Sequence, residues 1–152
     1  VSALRFARWQ QATHRANGAQ PGARALMAGL VARYPQARSW GIFAVRDTVL
    51  GNLSAHAEGR ALDLGCSRSE GARVVRDLLS LRTTNPEGRE LRGPACLGIS
   101  VLIHDRTIYS ARSPHGRPYA GDPHTDHVHI ELTRKAALHL RLSRVRRVLG
   151  LA

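Results

Sequence analysis

SAHAEGRALD, residues 54–63, is the stretch on which the rest of the chain turns. It sets a histidine and an aspartate seven positions apart around Gly59. A glycine there permits a tight turn, so His56 and Asp63 can converge on one point. Ala61 is small and leaves room beside that point, and Ala61 to Leu64 reads as a strand. Two readings fit. The stretch is either a polar turn in which Asp63 caps a strand, or the first two donors of a metal site.

A second stretch bears on the choice. In DPHTDHVHIEL, residues 122–132, three of the eight histidines fall within six positions. His127 to Leu132 alternates as a strand, so His127 and His129 point to one face. Asp126 lies at the strand's mouth, where a bend could re-aim it. A catalytic zinc typically takes three protein ligands and leaves a fourth position open. His56, Asp63 and one of His127 or His129 supply two imidazoles and a carboxylate. The competing reading is a solvated strand face.

The remaining elements frame these two stretches. Leu26, Leu30, Val31 and Tyr34 recur at helical spacing in ARALMAGLVARY, and Pro35 ends that helix. Trp40 to Val45 reads as a strand and Asp47 to Asn52 as a loop. Ser67-Arg68-Ser69-Glu70 has a capping-box pattern and opens a helix with Val74, Val75, Leu78 and Leu79 on one face. Asn85 to Pro94 reads as a loop. Ile99 to His104 and Thr107 to Tyr109 pair about Asp105-Arg106. Ala111 to Thr125 carries three prolines and reads as a long loop. Arg134 to Leu149 reads as one amphipathic basic helix, with Leu138, Leu142, Val145 and Leu149 along a stripe. Helices and strands segregate, which predicts an α+β fold with a small antiparallel sheet. The expected organisation is one domain: a helical segment over 1–38, a core over 39–132 that carries the site, and the basic helix over 133–152.

The chain has 152 residues, enough for a single buried core. No apolar run approaches the ~20 residues of a membrane span. It begins at Val1 with no signal-peptide pattern in view, which leaves open a processed or trimmed segment before it. The formal charge is +12, and Lys135 is the only lysine among the cations. That balance reads either as a genome rich in arginine codons or as attraction to a polyanion such as nucleic acid, anionic lipid or a wall polymer. Cys66 and Cys96 form no C-x-x-C pair; one disulfide in an exported protein and two free thiols both fit.

The two site stretches together carry a resemblance. SAHAEGRALD matches S-x-H-x-x-G-x-A-x-D at every fixed position, and DHVH matches an acid-x-x-His closing element. The chain thus resembles the hedgehog/D-Ala-D-Ala metallopeptidase superfamily over roughly Trp40 to Leu132. Its H-x-D-H-x-H ending is closer to murein endopeptidases than to the Glu-x-Trp-His carboxypeptidases. CLGISVLIHDRTIYS with the following GRPYAGDPHTDHVHIEL also resembles domains of secreted actinobacterial proteins. The resemblance implies zinc held by His56, Asp63 and His129. It places Asp126 at the position of the carboxypeptidases' catalytic Glu and His127 at the first His of the H-x-H pair, and either is the expected base. His124 matches the outer His, Ser54 is expected to support the site by hydrogen bonding, and Arg46 sits where the family often binds a substrate carboxylate or carbonyl.

The implied activity is hydrolysis of peptide bonds in peptidoglycan stem peptides by a secreted or wall-associated enzyme. Two other functions stay open: a zinc hydrolase of another substrate such as nucleic acid, because fold does not dictate substrate, and a non-catalytic zinc-containing binding domain. The basic face of the last helix reads as a solvated surface or as an anchor for anionic wall polymers or a membrane surface. Tyr119, in the long loop before the closing motif, is a candidate substrate contact, with His115 in the same wall. Glu58 and Arg60 read as rim residues. His104 reads as packing or a strand end. Trp9 and Trp40 read as core or helix-packing residues, and His14 and His139 as surface.

Overall fold

The alternation of residues 127–132 sets the architecture. In the computed structural model, which describes residues 3–44 and 52–151, this stretch is a central strand of a six-stranded antiparallel sheet. In chain order the elements are α1 (Pro21–Arg33), β1 (Arg38–Gly41), a 3-10 turn (Ala55–Glu58), β2 (Ala61–Gly65), α2 (Arg68–Leu79), β3 (Arg82–Thr84), β4 (Glu90–Arg92), a second 3-10 turn (Pro94–Leu97), β5 (Ile99–His104), β6 (Thr107–Ser110), β7 (Ser113–Pro118), β8 (His127–Leu132), α3 (Arg134–His139) and α4 (Leu142–Val148). The sheet order is β1-β2-β8-β5-β6-β7, and β3-β4 form a separate hairpin. The protein is α+β, with a small antiparallel sheet flanked by helices. No helix among the described residues is long and apolar enough to cross a membrane.

Register separates the two faces of the sheet. Leu62 pairs with Ile130 and Leu64 with Val128. These side chains are fully buried in one cluster with Leu26 and Leu30 of α1 and Val74 and Leu78 of α2. Each such side chain contributes roughly 1.5–3 kcal/mol of apolar burial. The intervening pairs, Asp63 with His129 and Gly65 with His127, fall on the opposite face. One face therefore holds the core and the other holds the polar groups. The same core takes in Phe6 near the beginning of the chain and Val145 and Leu149 near its end, so all three expected segments close one core.

Several elements depart from the sequence expectations. Residues 3–20 contain no helix; this arm runs extended against the body, with Ala7 N–H donating to the Ile99 carbonyl and Gln20 N–H to that of Gly59. The first strand covers 38–41 rather than 40–45, and Val45 lies outside the described residues. Part of the expected long loop is β7, and part of the expected 85–94 loop is β4. Pro114 and Pro118 are tolerated because β7 is an edge strand, where missing N–H donors cost no ladder bonds. The C-terminal helix is broken: Leu140 and Arg141 are extended between α3 and α4. The break lets Ala137 of α3 and Val145 of α4 both bury against the body, and both helices pack on α1. It also turns Leu138 and Leu142 outward, at 50% and 43% exposure, so the expected apolar stripe is buried only at Val145 and Leu149.

Candidate metal centre

His56 reaches the polar face from the 3-10 turn. Ser54 caps that turn, its Oγ accepting the His56 N–H at 3.2 Å. Gly59 ends it with φ 70°, and a Cβ there would fall 2.1 Å from the Gly18 carbonyl oxygen, so only glycine fits. The His56 ring is oriented by Nδ1–H donating to the Ile42 carbonyl at 2.8 Å. Its Nε2 then lies 3.3 Å from Asp63 Oδ2 and 3.3 Å from His129 Nδ1. His129 Nδ1 lies 3.2 Å from Asp63 Oδ1, and its Nε2 lies 3.0 Å from Glu131 Oε1. His56, Asp63 and His129 thus bring one donor atom each within 4.8 Å of one another, a grouping that could hold a metal ion. Burial opposes ionisation of Asp63, but the His129 and His56 imidazoles overcome it and hold the carboxyl far below its ordinary range. Burial likewise disfavours a charged His129, yet the Asp63 and Glu131 carboxylates push its titration upward.

Around this cluster stands a second set of groups. His127 Nδ1–H donates to Asp126 Oδ1 at 2.9 Å, and its Nε2 faces Asp63 Oδ1 at 3.9 Å. The Asp126 carboxylate is exposed, and the His127 hydrogen bond holds its titration below the usual range. Asp126 therefore reaches the cluster through His127. His124 is buried and has a left-handed backbone, φ 52°. Its N–H donates to Asp122 Oδ1 at 3.2 Å, and its ring lies 4.4 Å from that of His127 between centroids. Burial first, then the neighbouring His127 and His129, push its titration down. Tyr119 meets His124 edge-on at 5.6 Å. Arg46 lies outside the described residues.

Four residues take roles other than those read from the sequence. Trp40 is half-exposed, not core; its ring lies 5.4 Å from His127, and it rests on Gly65, where a Cβ would fall 2.0 Å from the indole Nε1. Glu131 stands two residues past His129 on the same strand face, a period-2 signal that was there to be used. Glu58 and Arg60 are not rim residues. They are 2% and 1% exposed, paired with each other, and joined by Arg134 to Glu58 at 3.0 Å. The other histidines lie outside the site: His104 is buried between the His127 and Arg68 carbonyls, each 3.1 Å from a ring nitrogen, while His115 and His139 are exposed. His14, also exposed, lies 3.0 Å from Glu58. Trp9 is half-exposed as well. Cys66 and Cys96 are both free thiols.

A groove of about 780 Å³ runs along this face. Glu131 and Tyr119 line its site end, Leu53, Val101 and Ile108 its apolar walls, and Arg8, Arg112 and Arg117 also border it. No protein-family model, curated protein or solved structure matches the chain.

Proposed function

We propose that this chain is a zinc-dependent peptidase of the hedgehog/D-Ala-D-Ala type that hydrolyses peptide bonds in peptidoglycan stem peptides. One observation carries the reading: the His56–Asp63–His129 cluster stands beside a His127–Asp126 dyad, next to a groove bordered by Glu131, which meets His129, and Tyr119, which meets His124. The donor set suits zinc. A tetrahedral zinc with bonds of about 2.0–2.1 Å has ligand–ligand edges of about 3.3 Å. Here His56 Nε2 and His129 Nδ1 are 3.3 Å apart, and the Asp63 carboxylate meets His129 through Oδ1 at 3.2 Å and His56 through Oδ2 at 3.3 Å. Both imidazoles have their other nitrogen engaged, His56 by a carbonyl and His129 by Glu131, as orienting partners of metal-ligating histidines are.

When bound, zinc supplies Lewis acidity, polarising a carbonyl oxygen and lowering the pKa of water. The chain's own residues do the rest. His127 accepts the proton of the attacking water at Nε2 and delivers it to the leaving amine. Asp126 accepts from Nδ1–H and so holds the tautomer that frees Nε2. It is a positioning residue, and the expected choice between Asp126 and His127 as base falls to His127. His124 and Trp40 both pack against the His127 ring. The apolar groove receives the peptide, while its arginines attract carboxylates of the stem. Secretion or wall association follows from the same resemblance.

A nuclease reading draws on the +12 charge and the arginines of the groove. One experiment separates the two. Zinc-loaded protein is incubated with purified peptidoglycan and, separately, with DNA and RNA, and the products are analysed by mass. New amine termini in muropeptides support the peptidase. Cut nucleic acid with intact muropeptides supports the nuclease, and no product from either points to a binding domain.

A further inference from the structure

The polar face carries a second grouping of donors that the peptidase reading does not use as ligands. One atom each of Asp122, His124 and His127 lies within 4.8 Å of the others. The composition repeats that of the first site: two imidazoles and one carboxylate. His124 is held there at a backbone cost, since a left-handed conformation is strained for a residue other than glycine. What holds it is local: its N–H bonds the Asp122 carboxylate and its ring nitrogen Nδ1 bonds the Asp122 carbonyl. His127 has Nδ1 engaged by Asp126, so the donor it can offer is Nε2.

We propose that Asp122, His124 and His127 form a second divalent-cation site of the zinc class, and that its occupation inhibits the enzyme. The binding half stands on these donors alone; the inhibitory half rests on the peptidase reading. Inhibition follows from electron counting. The Nε2 lone pair of His127 is the one that takes the proton from water. Donated to a cation, it has no capacity left for a proton, and the base is lost without any change of fold. Asp122 is exposed, so this site has fewer desolvated partners than the first and fills second. Activity therefore rises with the first equivalent of zinc and falls with the next.

The test is a calorimetric titration of the metal-stripped full chain with zinc chloride, repeated for D122N and H56A. Two equivalents are expected for the wild type, a tight one and a weaker one. D122N should keep the tight step and lose the weaker, while H56A should do the reverse. A single equivalent in the wild type overturns the proposal, and so does a weaker step that D122N leaves in place, because the ion then sits elsewhere. With a peptide substrate, filling the weaker site should reduce activity about 10²-fold or more, the usual worth of a general base. In D122N the inhibitory zinc concentration should rise at least about tenfold, since even an indirect partner of a ligand is worth that much. Two equivalents bound with undiminished activity would refute the inhibition. Absence of cleavage at every zinc level would count against the peptidase reading alone, because the calorimetry still decides the site.

Discussion

Replacing Glu58 should unsettle both the fold and the candidate metal centre. Glu58 ends the turn that carries His56. Its carboxylate accepts from Arg60 Nε, from the Thr13 backbone N–H at 3.0 Å and from Arg134 at 3.0 Å. Glu58 and Arg60 side chains are each 1% exposed. Removing one member of a buried pair costs about 3–5 kcal/mol, mostly because the other charge is stranded. Arg60 would keep two acceptors, the Leu132 and Gln10 carbonyls, and Arg134 is a third exposed and can turn to water. Both facts place Glu58→Ala at the low end, about 3 kcal/mol. Glu58→Gln preserves volume and one acceptor oxygen, so about 2 kcal/mol is expected. The double change Glu58→Leu, Arg60→Met removes both charges together and should lie within about 1 kcal/mol of the wild type. Urea denaturation of the metal-free protein at neutral pH measures all three; with a slope near 2 kcal/mol/M, the Ala variant's midpoint falls by about 1.5 M. Acid titration adds a signature. Burial alone would raise the Glu58 pKa, but the bonds from Thr13, Arg60 and Arg134 lower it from an ordinary 4.5 to about 2. A lowered folded pKa stabilises above the unfolded value and is lost as pH falls through the folded one. The gap between wild type and Glu58→Gln should therefore close between about pH 4.5 and pH 2. A deficit under about 1 kcal/mol at neutral pH, or one that persists undiminished at the acid end, would refute the buried-network argument.

Three further outcomes are expected. Zinc at a hundred times the dissociation constant of its tight site should stabilise the wild type by about 2.7 kcal/mol and shift His56→Ala by much less, since that variant lacks the tight site; equal shifts in thermal melts would remove His56 from the ligand set. His127→Ala should lower kcat by about 10²–10⁴-fold, while Asp126→Asn should cost about 10–100-fold. The opposite ranking would make Asp126 the base. Burial pushes both cysteine thiols up to about 11, so at pH 8 they are protonated and poor nucleophiles. A disulfide-exchange dye should titrate them slowly in the native protein and promptly in urea, and rapid native labelling of both would contradict the burial.

Legibility in the sequence followed the range of the interactions. Strand alternation and the cap at Ser67 are local, and β2, β8 and α2 could be read from a few residues each; Ser67 Oγ accepts the Glu70 N–H at 3.2 Å. The convergence of His56, Asp63 and His129 was legible because two recognisable stretches had to meet. The Glu58–Arg60 pair was not. Nothing within SAHAEGRALD announces that an arm residue 45 positions upstream and a helix residue 76 positions downstream of Glu58 cover it. The break at Leu140–Arg141 carries no glycine or proline and arises from docking on α1. Trp40 was misread because an aromatic in an apolar run usually goes inward; the indole lies instead over Gly65 of β2, where the absence of a Cβ makes room for it.

The two faces of one strand pair explain why site and stability are coupled here. Asp63 and His129 sit between Leu62, Leu64, Val128 and Ile130 in sequence, so each candidate donor is flanked by core residues that lock its backbone. A rigid ladder thus positions two donors, and their separation needs no ion to hold it. His56 comes from outside the sheet, on a turn whose placement depends on Gly59 and the Glu58 network. The third donor is therefore the one that distant changes can displace. Loosening that turn by Glu58→Gln should weaken zinc binding while Asp63 and His129 stay in register, and at equal zinc concentration the metal should in turn stabilise the variant by less than it stabilises the wild type. A variant that is destabilised yet binds zinc as tightly as the wild type would show that the turn is held by its capping bonds alone.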